Sequence, residues 1–174
     1  MTRTHRTRRT TERTVRYTIH PSPLGDLLIA GPRPGVLASV TVPDQRRGAS
    51  VQPDWVRADP DFRGATEQFD AYFAGELTEF TLTLEAAGTP FRQQVWAALD
   101  KIPLGTTTTY GALAARIGVP PRSVRAVGGA VGANPLLLIR PCHRVLGANG
   151  SLTGYAGGLD RKRQLLVHEG VALG

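Results

Sequence analysis

Cysteine occurs once in this chain of 174 residues, at Cys142. A single thiol excludes an internal disulfide and a cysteine-rich zinc site. Histidine is almost as scarce. His5, His20, His143 and His168 fall at no spacing suited to a metal, so no metal is expected. No apolar run approaches the length of a membrane span, so no membrane partner is expected. The N-terminus is basic but lacks the apolar stretch of a signal peptide, which makes the cytoplasm the expected location. Lysine is confined to Lys101 and Lys162, and arginine carries nearly all the positive charge. A compositional bias accounts for arginine over lysine, but not for where the charges sit.

Hydrophobic residues make up 41% of the chain, enough for one domain or two small ones with a real core. The net charge of +7 is segregated. Residues 1–14 hold five Arg and one Glu, residues 15–89 six Arg and ten acids, and residues 90–174 ten Lys or Arg and three acids. The middle stretch is acidic and the last is basic, so they read as different pieces, with the cysteine in the basic one. A basic domain points to a polyanionic partner, nucleic acid first. The expected organisation is a disordered basic tail over residues 1–14, an N-terminal α/β domain over 15–88 and a C-terminal domain over 89–174.

Alternating polarity predicts strands over Val15–Ile19, Leu27–Ala30, Val36–Val42 and Phe80–Leu84. Residues 44–60 read as a loop. From Asp61, the side chains of Phe62, Ala65, Phe69, Tyr72 and Phe73 share a helical face that Gly75 ends. Beyond residue 88 the pattern is helical, over Pro90–Lys101, Tyr110–Ile117, Ser123–Val131 and Asp160–Glu169. The second and third of these, joined by a Gly/Pro turn, are similar to a helix-turn-helix. The apolar extended segment Pro135–Ile139 leads to the cysteine, and a flexible Gly-rich loop, Gly147–Gly158, leaves it.

The cysteine is followed directly by a histidine, in Pro141-Cys142-His143-Arg144-Val145. A free thiol is a poor nucleophile until a base takes its proton, and an imidazole oriented by a carboxylate is the usual device. The pattern predicts a sulfur made ionisable by its surroundings and facing a shaped pocket. The plain alternative is a small buried hydrophobe. The stretch Arg125-Ala126-Val127-Gly128-Gly129-Ala130 sets two glycines inside a helix, each costing about 1 kcal/mol relative to alanine. Such a helix has a close neighbour: either another helix in the core, or a nucleic-acid groove that Arg125 enters.

Several stretches, in order and spacing, resemble the catalytic domain of the O6-alkylguanine-DNA alkyltransferases, the methylated-DNA–protein-cysteine methyltransferases. They are Phe91-Arg92-Gln93-Gln94-Val95-Trp96, Tyr110-Gly111, Arg125 to Ala130, Asn134-Pro135, Pro141 to Val145, Gly154-Tyr155-Ala156-Gly157-Gly158 and His168-Glu169-Gly170. The first half fits the family's variable ribonuclease-H-like domain loosely. The resemblance implies an α+β protein, with a small N-terminal ribonuclease-H-like α/β domain followed by a mainly helical winged helix-turn-helix catalytic domain. It implies DNA repair by irreversible, stoichiometric transfer of an alkyl group from O6 of guanine to the protein's own cysteine, without a cofactor. The implied partner is double-stranded DNA carrying O6-alkylguanine, met by a monomer, with cooperative assembly along DNA left open.

The resemblance also implies roles. Cys142 is the acceptor. His143 takes its proton through a bridging water, and Glu169 orients His143. Tyr110 lies by the flipped nucleotide and donates a proton to the leaving guanine. Tyr155 lines the base pocket and Ala156 offers a backbone N–H, while the carbonyls of Cys142 and Val145 read the guanine amino edge. Asn134 is a hinge between the recognition helix and the cysteine segment. Arg125 fills the gap left by the flipped base, and Ala126, Gly128 and Gly129 permit close minor-groove approach. Arg140 departs from the pattern, since an apolar or small residue is commoner there, and it has no evident place. Two other readings compete: a protein that binds alkylated DNA without transfer, whose known kind lacks the cysteine, and a thiol hydrolase, which needs an oxyanion hole with no visible candidate.

Overall fold

A computed structural model describes residues 13–174, so most of the expected basic tail over 1–14 lies outside the described residues. The first half is built on a four-stranded sheet. Strands β1 (Arg16–His20) and β2 (Leu27–Gly31) form an antiparallel hairpin, with Tyr17 opposite Ala30 and Ile19 opposite Leu28. After the two-residue β3 (Val36–Leu37), β4 (Ser39–Thr41) pairs antiparallel with β2, and β5 (Val56–Arg57) pairs parallel with β1, giving the order β4-β2-β1-β5. The single strand expected over Val36–Val42 is thus two. Ala38 N–H bonds back to the Ala30 carbonyl, while Leu37 turns to a second partner. The expected loop over 44–60 contains β5, whose two exposed residues carry no alternation to signal it.

A 3-10 turn at Asp59–Phe62 leads into helix α1 (Arg63–Phe73). Its buried face, Ala65, Phe69 and Tyr72 with Phe62 before it, is the predicted one, and Gly75 follows its end at φ +76°. β6 (Thr83–Leu84), shorter than expected, pairs parallel with β3.

The second half is mainly helical. α2 (Pro90–Leu99) starts with Thr89, whose side chain accepts the Arg92 N–H, and with Pro90 in its first turn, where a missing N–H costs nothing. α3 (Tyr110–Arg116) is capped by the Thr109 side chain. A 3-10 turn at Pro121–Ser123 joins it to α4 (Val124–Gly132), and α5 (Leu159–His168) closes the chain. α2, α3 and α4 pack on one another. Trp96, 1% exposed, donates its indole N–H to the Ala130 carbonyl at 2.9 Å, which locks α2 to α4. Each fully buried side chain of this size contributes about 1.5–3 kcal/mol by leaving water.

Backbone and side-chain hydrogen bonds unite the halves. Edge strand β4 bridges to the cysteine approach: Val40 N–H bonds the Pro135 carbonyl, and Leu137 N–H bonds the Val40 carbonyl. Within the second half, β7 (Thr108–Thr109) pairs parallel with β8 (Val145–Leu146), which sets the start of α3 beside the end of the cysteine pentad. One continuous apolar core runs through both halves, from Leu27 and Phe69 to Val95, Leu113, Val127 and Leu165. The architecture is α+β, as the resemblance implied. No helix among the described residues is long and apolar enough to cross a membrane.

Candidate active site

The approach to Cys142 is a pair of tight turns. Leu138 stands at φ +73°, a left-handed conformation that costs a residue with a side chain, and Ile139 N–H closes a three-residue turn to the Leu137 carbonyl. A second such turn centres on Pro141, at φ −80° and ψ 57°, and brings the Cys142 N–H to the Arg140 carbonyl at 2.8 Å. A 3-10 turn, Cys142–Arg144, follows. Asn134 over-determines this path. Its carbonyl oxygen accepts the Leu136 N–H, and its amide donates to the Leu136 and Arg140 carbonyls and to Cys142 Sγ at 3.2 Å. The hinge position is therefore a clamp, buried beneath the sulfur rather than in contact with solvent.

Cys142 is 4% exposed, and burial pushes its thiol up to about 11, against the Asn134 donor and the positive charge of Lys162. The sulfur expected to be ionisable is, in the resting site, one whose thiolate burial disfavours. At neutral pH the thiol holds its proton, because burial disfavours the thiolate. His143 Nε2 lies 2.7 Å from Glu169 Oε1, and both side chains are fully buried. Burial, aided by the Arg144 and Lys162 charges, lowers the imidazole pKa and keeps the ring neutral. Since the carboxylate can only accept, the proton is assigned to Nε2 and the free lone pair to Nδ1. No described residue bonds Nδ1.

Glu169 is the most heavily bonded group of the site. Its Oε1 accepts from His143, from the Tyr72 hydroxyl at 2.7 Å and from an Arg144 terminal nitrogen at 2.9 Å, and its Oε2 accepts from Arg144 Nε at 2.8 Å. Burial alone would raise its pKa. The hydrogen bonds and charges of His143 and Arg144 outweigh burial and hold the carboxyl well below the usual carboxylate range. Lying just past α5, Glu169 is buried at 6% exposure, not solvated.

Cys142 forms part of the wall of a cavity of about 240 Å³, together with Tyr110, Gly128, Gly129, Tyr155 and Ala156. Arg46 and Arg47 reach it from the loop after β4. Tyr110 donates its hydroxyl to the Thr153 carbonyl at 3.1 Å, and burial and the nearby sulfur raise its pKa. The buried Tyr155 hydroxyl has no partner among the described residues. The two helix glycines behave differently. A side chain at Gly128 would touch the Tyr110 ring at 3.8 Å, whereas one at Gly129 would meet nothing within 4 Å. Helix packing does not demand them, since a Cβ at Gly128 would make only ordinary contact with Tyr110 of α3, and both glycines line the cavity.

The Gly-rich loop, expected to be flexible, is pinned from beneath by Lys162. Its ammonium is fully buried on α5 and donates to the carbonyls of Val145, Thr153 and Gly154. Burial pulls that lysine down to about 8. Gly157 permits close packing there, since a Cβ would lie 2.8 Å from the Tyr155 ring.

The structure thus brings Cys142, His143 and Glu169 together with Tyr110, Tyr155, Ala156, Gly128 and Gly129. Val145 is fully buried, with its carbonyl taken by Lys162 at 2.6 Å, and the Cys142 carbonyl already accepts the Val145 N–H. Neither carbonyl stands free to read a base edge, so each would have to accept a second bond there. Arg125 and Ala126 are exposed on α4 beside the cavity, not within it. Arg140 now has a place: it bonds Asp100 at 3.2 Å and lies 5.1 Å over the Trp96 ring. Tyr72, Arg144 and Lys162 were missed as site residues. Tyr72 reads as core and Lys162 as one of a solvated charge run, while Arg144 stood inside the pentad with no partner legible.

Comparison with known proteins matches both halves. Residues 90–171 match the 6-O-methylguanine DNA methyltransferase DNA-binding domain, and residues 15–86 match the ribonuclease-like domain of the same family. A methylated-DNA–protein-cysteine methyltransferase of Mycolicibacterium paratuberculosis is 48% identical over 89% of this chain and 92% of its own length. One of Methanosarcina acetivorans is 49% identical over 88% of this chain and 97% of its own. The structure of a Mycobacterium tuberculosis OGT in complex with DNA superposes with a TM-score of 0.83 at 48% identity, covering 89% of this chain and 93% of that one.

Proposed function

Because the chain belongs to the 6-O-methylguanine DNA methyltransferase family, we propose that it repairs DNA by taking the alkyl group from O6 of guanine onto its own Cys142. The observation that carries this reading is the chain's single thiol on the wall of a cavity, beside a neutral imidazole held by a buried carboxylate. Residues 15–88 and 89–174 divide the labour: the second domain binds DNA and reacts, and the first braces it. The protein acts as a monomer on double-stranded DNA, in the cytoplasm.

α4 enters the minor groove with its glycine face forward, and Arg125 occupies the gap left when the damaged nucleotide turns out of the stack. The everted base enters the cavity between Tyr110, Tyr155 and Ala156. Entry excludes the remaining water, which strengthens every local charge interaction. His143 Nδ1 takes the thiol proton, through a water if one bridges the gap, and Glu169 steadies the resulting imidazolium as the carboxylate of a hydrolase triad does. The S–C bond forms as the C–O6 bond breaks. The electron pair of the broken bond goes to guanine, which takes up a proton from Tyr110. The thioether has no leaving group to restore the thiol, so each molecule acts once.

Mass spectrometry of the protein after incubation with a duplex carrying O6-methylguanine tests the proposal. One methyl per chain, on Cys142, is expected, with none on Cys142→Ala. Tight binding without methylation would make the protein a marker of damage, and continued turnover without methylation would make it a hydrolase.

A further inference from the structure

The Cys142, His143, Arg144 and Glu169 site lies within the DNA-binding half, yet one of the four hydrogen bonds to Glu169 comes from the other half of the molecule. Tyr72 sits on α1, is 2% exposed, and donates its hydroxyl to Glu169 Oε1 at 2.7 Å from 97 residues away in sequence. It is held there firmly. Its ring packs edge-on against Phe73 and tilted against Phe80 and His168, and His168 Nε2 lies 2.7 Å from the Tyr72 backbone carbonyl. The same carboxylate oxygen receives His143, so the two donors share one acceptor.

We propose that Tyr72 is a positioning residue for the transfer reaction: the N-terminal domain, through this one hydroxyl, fixes the Glu169 carboxylate and so aims the His143 lone pair at the thiol. The inference rests on the function proposed above. Arg144 donates to both carboxylate oxygens, and the Tyr72 hydroxyl is a further donor to Oε1. Without the hydroxyl, Oε1 keeps two donors, so the carboxylate stays bound but gains freedom to rotate about the Arg144 fork. It also shares its charge with one donor fewer. Its attraction for the His143 proton rises, and the imidazole becomes easier to protonate. The other titratable groups facing this pair are Arg144, Lys162, Cys142 and Tyr155, with His168 behind Tyr72. None of them changes in the test variant.

Tyr72→Phe in the full chain keeps the ring and removes only the hydroxyl. The expected result is a transfer rate lowered about tenfold, equally on duplex and on free O6-methylguanine, with unchanged affinity for DNA. Side-chain NMR of histidine-labelled protein, which needs no substrate, is expected to show His143 titrating at higher pH in the variant than in wild type. In a Glu169→Gln background, Tyr72→Phe is expected to add little further loss of rate, because its effect runs through the carboxylate. A wild-type rate with an unmoved His143 titration overturns the proposal, as does an undiminished extra loss in the Glu169→Gln background. If wild-type protein takes up no methyl at all, the functional reading fails, while the His143 titration still decides the role of Tyr72.

Discussion

At the scale of single residues, the site is governed by what burial does to each ionisable group. The sulfur and the imidazole are both kept neutral, and the carboxylate is kept charged by its four donors. A thiol is far less nucleophilic than its thiolate, so a neutral thiol beside a neutral base is the less reactive form of the pair. Glu169 carries a consequence for stability. Its folded pKa is depressed, so its contribution is complete above the unfolded value of about 4.5 and is lost as pH falls below it. Chemical denaturation between pH 3 and 7 should therefore show wild-type stability falling steeply below pH 4.5. Glu169→Gln should be about 3–5 kcal/mol less stable at pH 7, because it leaves Arg144 and its neighbours without their anion. It should also lose less on acidification, since the titrating group is gone.

At the scale of elements, α4 is a helix whose sequence trades stability for access. Gly129 has an ordinary helical environment and open space where a side chain would go, so alanine there meets no obstacle in the free protein. Gly129→Ala is expected to raise stability by about 0.5–1 kcal/mol through helix propensity, seen as a higher Tm. The same methyl group would stand on the face proposed to meet DNA, so repair of duplex should slow while reaction with free O6-methylguanine stays near wild type. A Tm gain with undiminished duplex repair would mean that another face of the helix makes the contact. The cysteine segment shows the opposite economy. Its three-residue turn at the left-handed Leu138 is unfavourable locally, and Asn134 with the β4 bridge holds the segment in place.

At the scale of the whole molecule, charge and core pull in different directions. The acidic first half and the basic second half are electrostatically distinct, yet their apolar residues form one core, and the Tyr72 hydroxyl crosses between them. The basic half should supply most of the affinity for DNA through phosphate contacts, so log affinity should fall linearly with log salt concentration. Arg125→Ala is expected to slow transfer from duplex DNA while leaving transfer from the free base near wild type, because only the duplex needs a finger in the vacated stack. Equal slowing on both substrates would place Arg125 in the chemistry instead.

Much of this was legible in one dimension. The spacing of Phe62, Ala65, Phe69 and Tyr72 showed the buried face of α1, because helical periodicity is a local property of the chain. The adjacency of Cys142 and His143 announced a thiol and a base for the same reason. Distances across the fold were not legible. Tyr72 satisfies the apolar pattern whether or not its hydroxyl finds a carboxylate 97 residues on, and Lys162 looks solvated beside Arg161 and Arg163 until α5 turns it inward onto three carbonyls. The protonation states were also out of reach, since they depend on how much water packing removes from each group. Composition and order of residues chose the nucleophile and its neighbours, and three-dimensional packing chose which atoms are charged, because desolvation and long-range contacts exist only once the chain has folded.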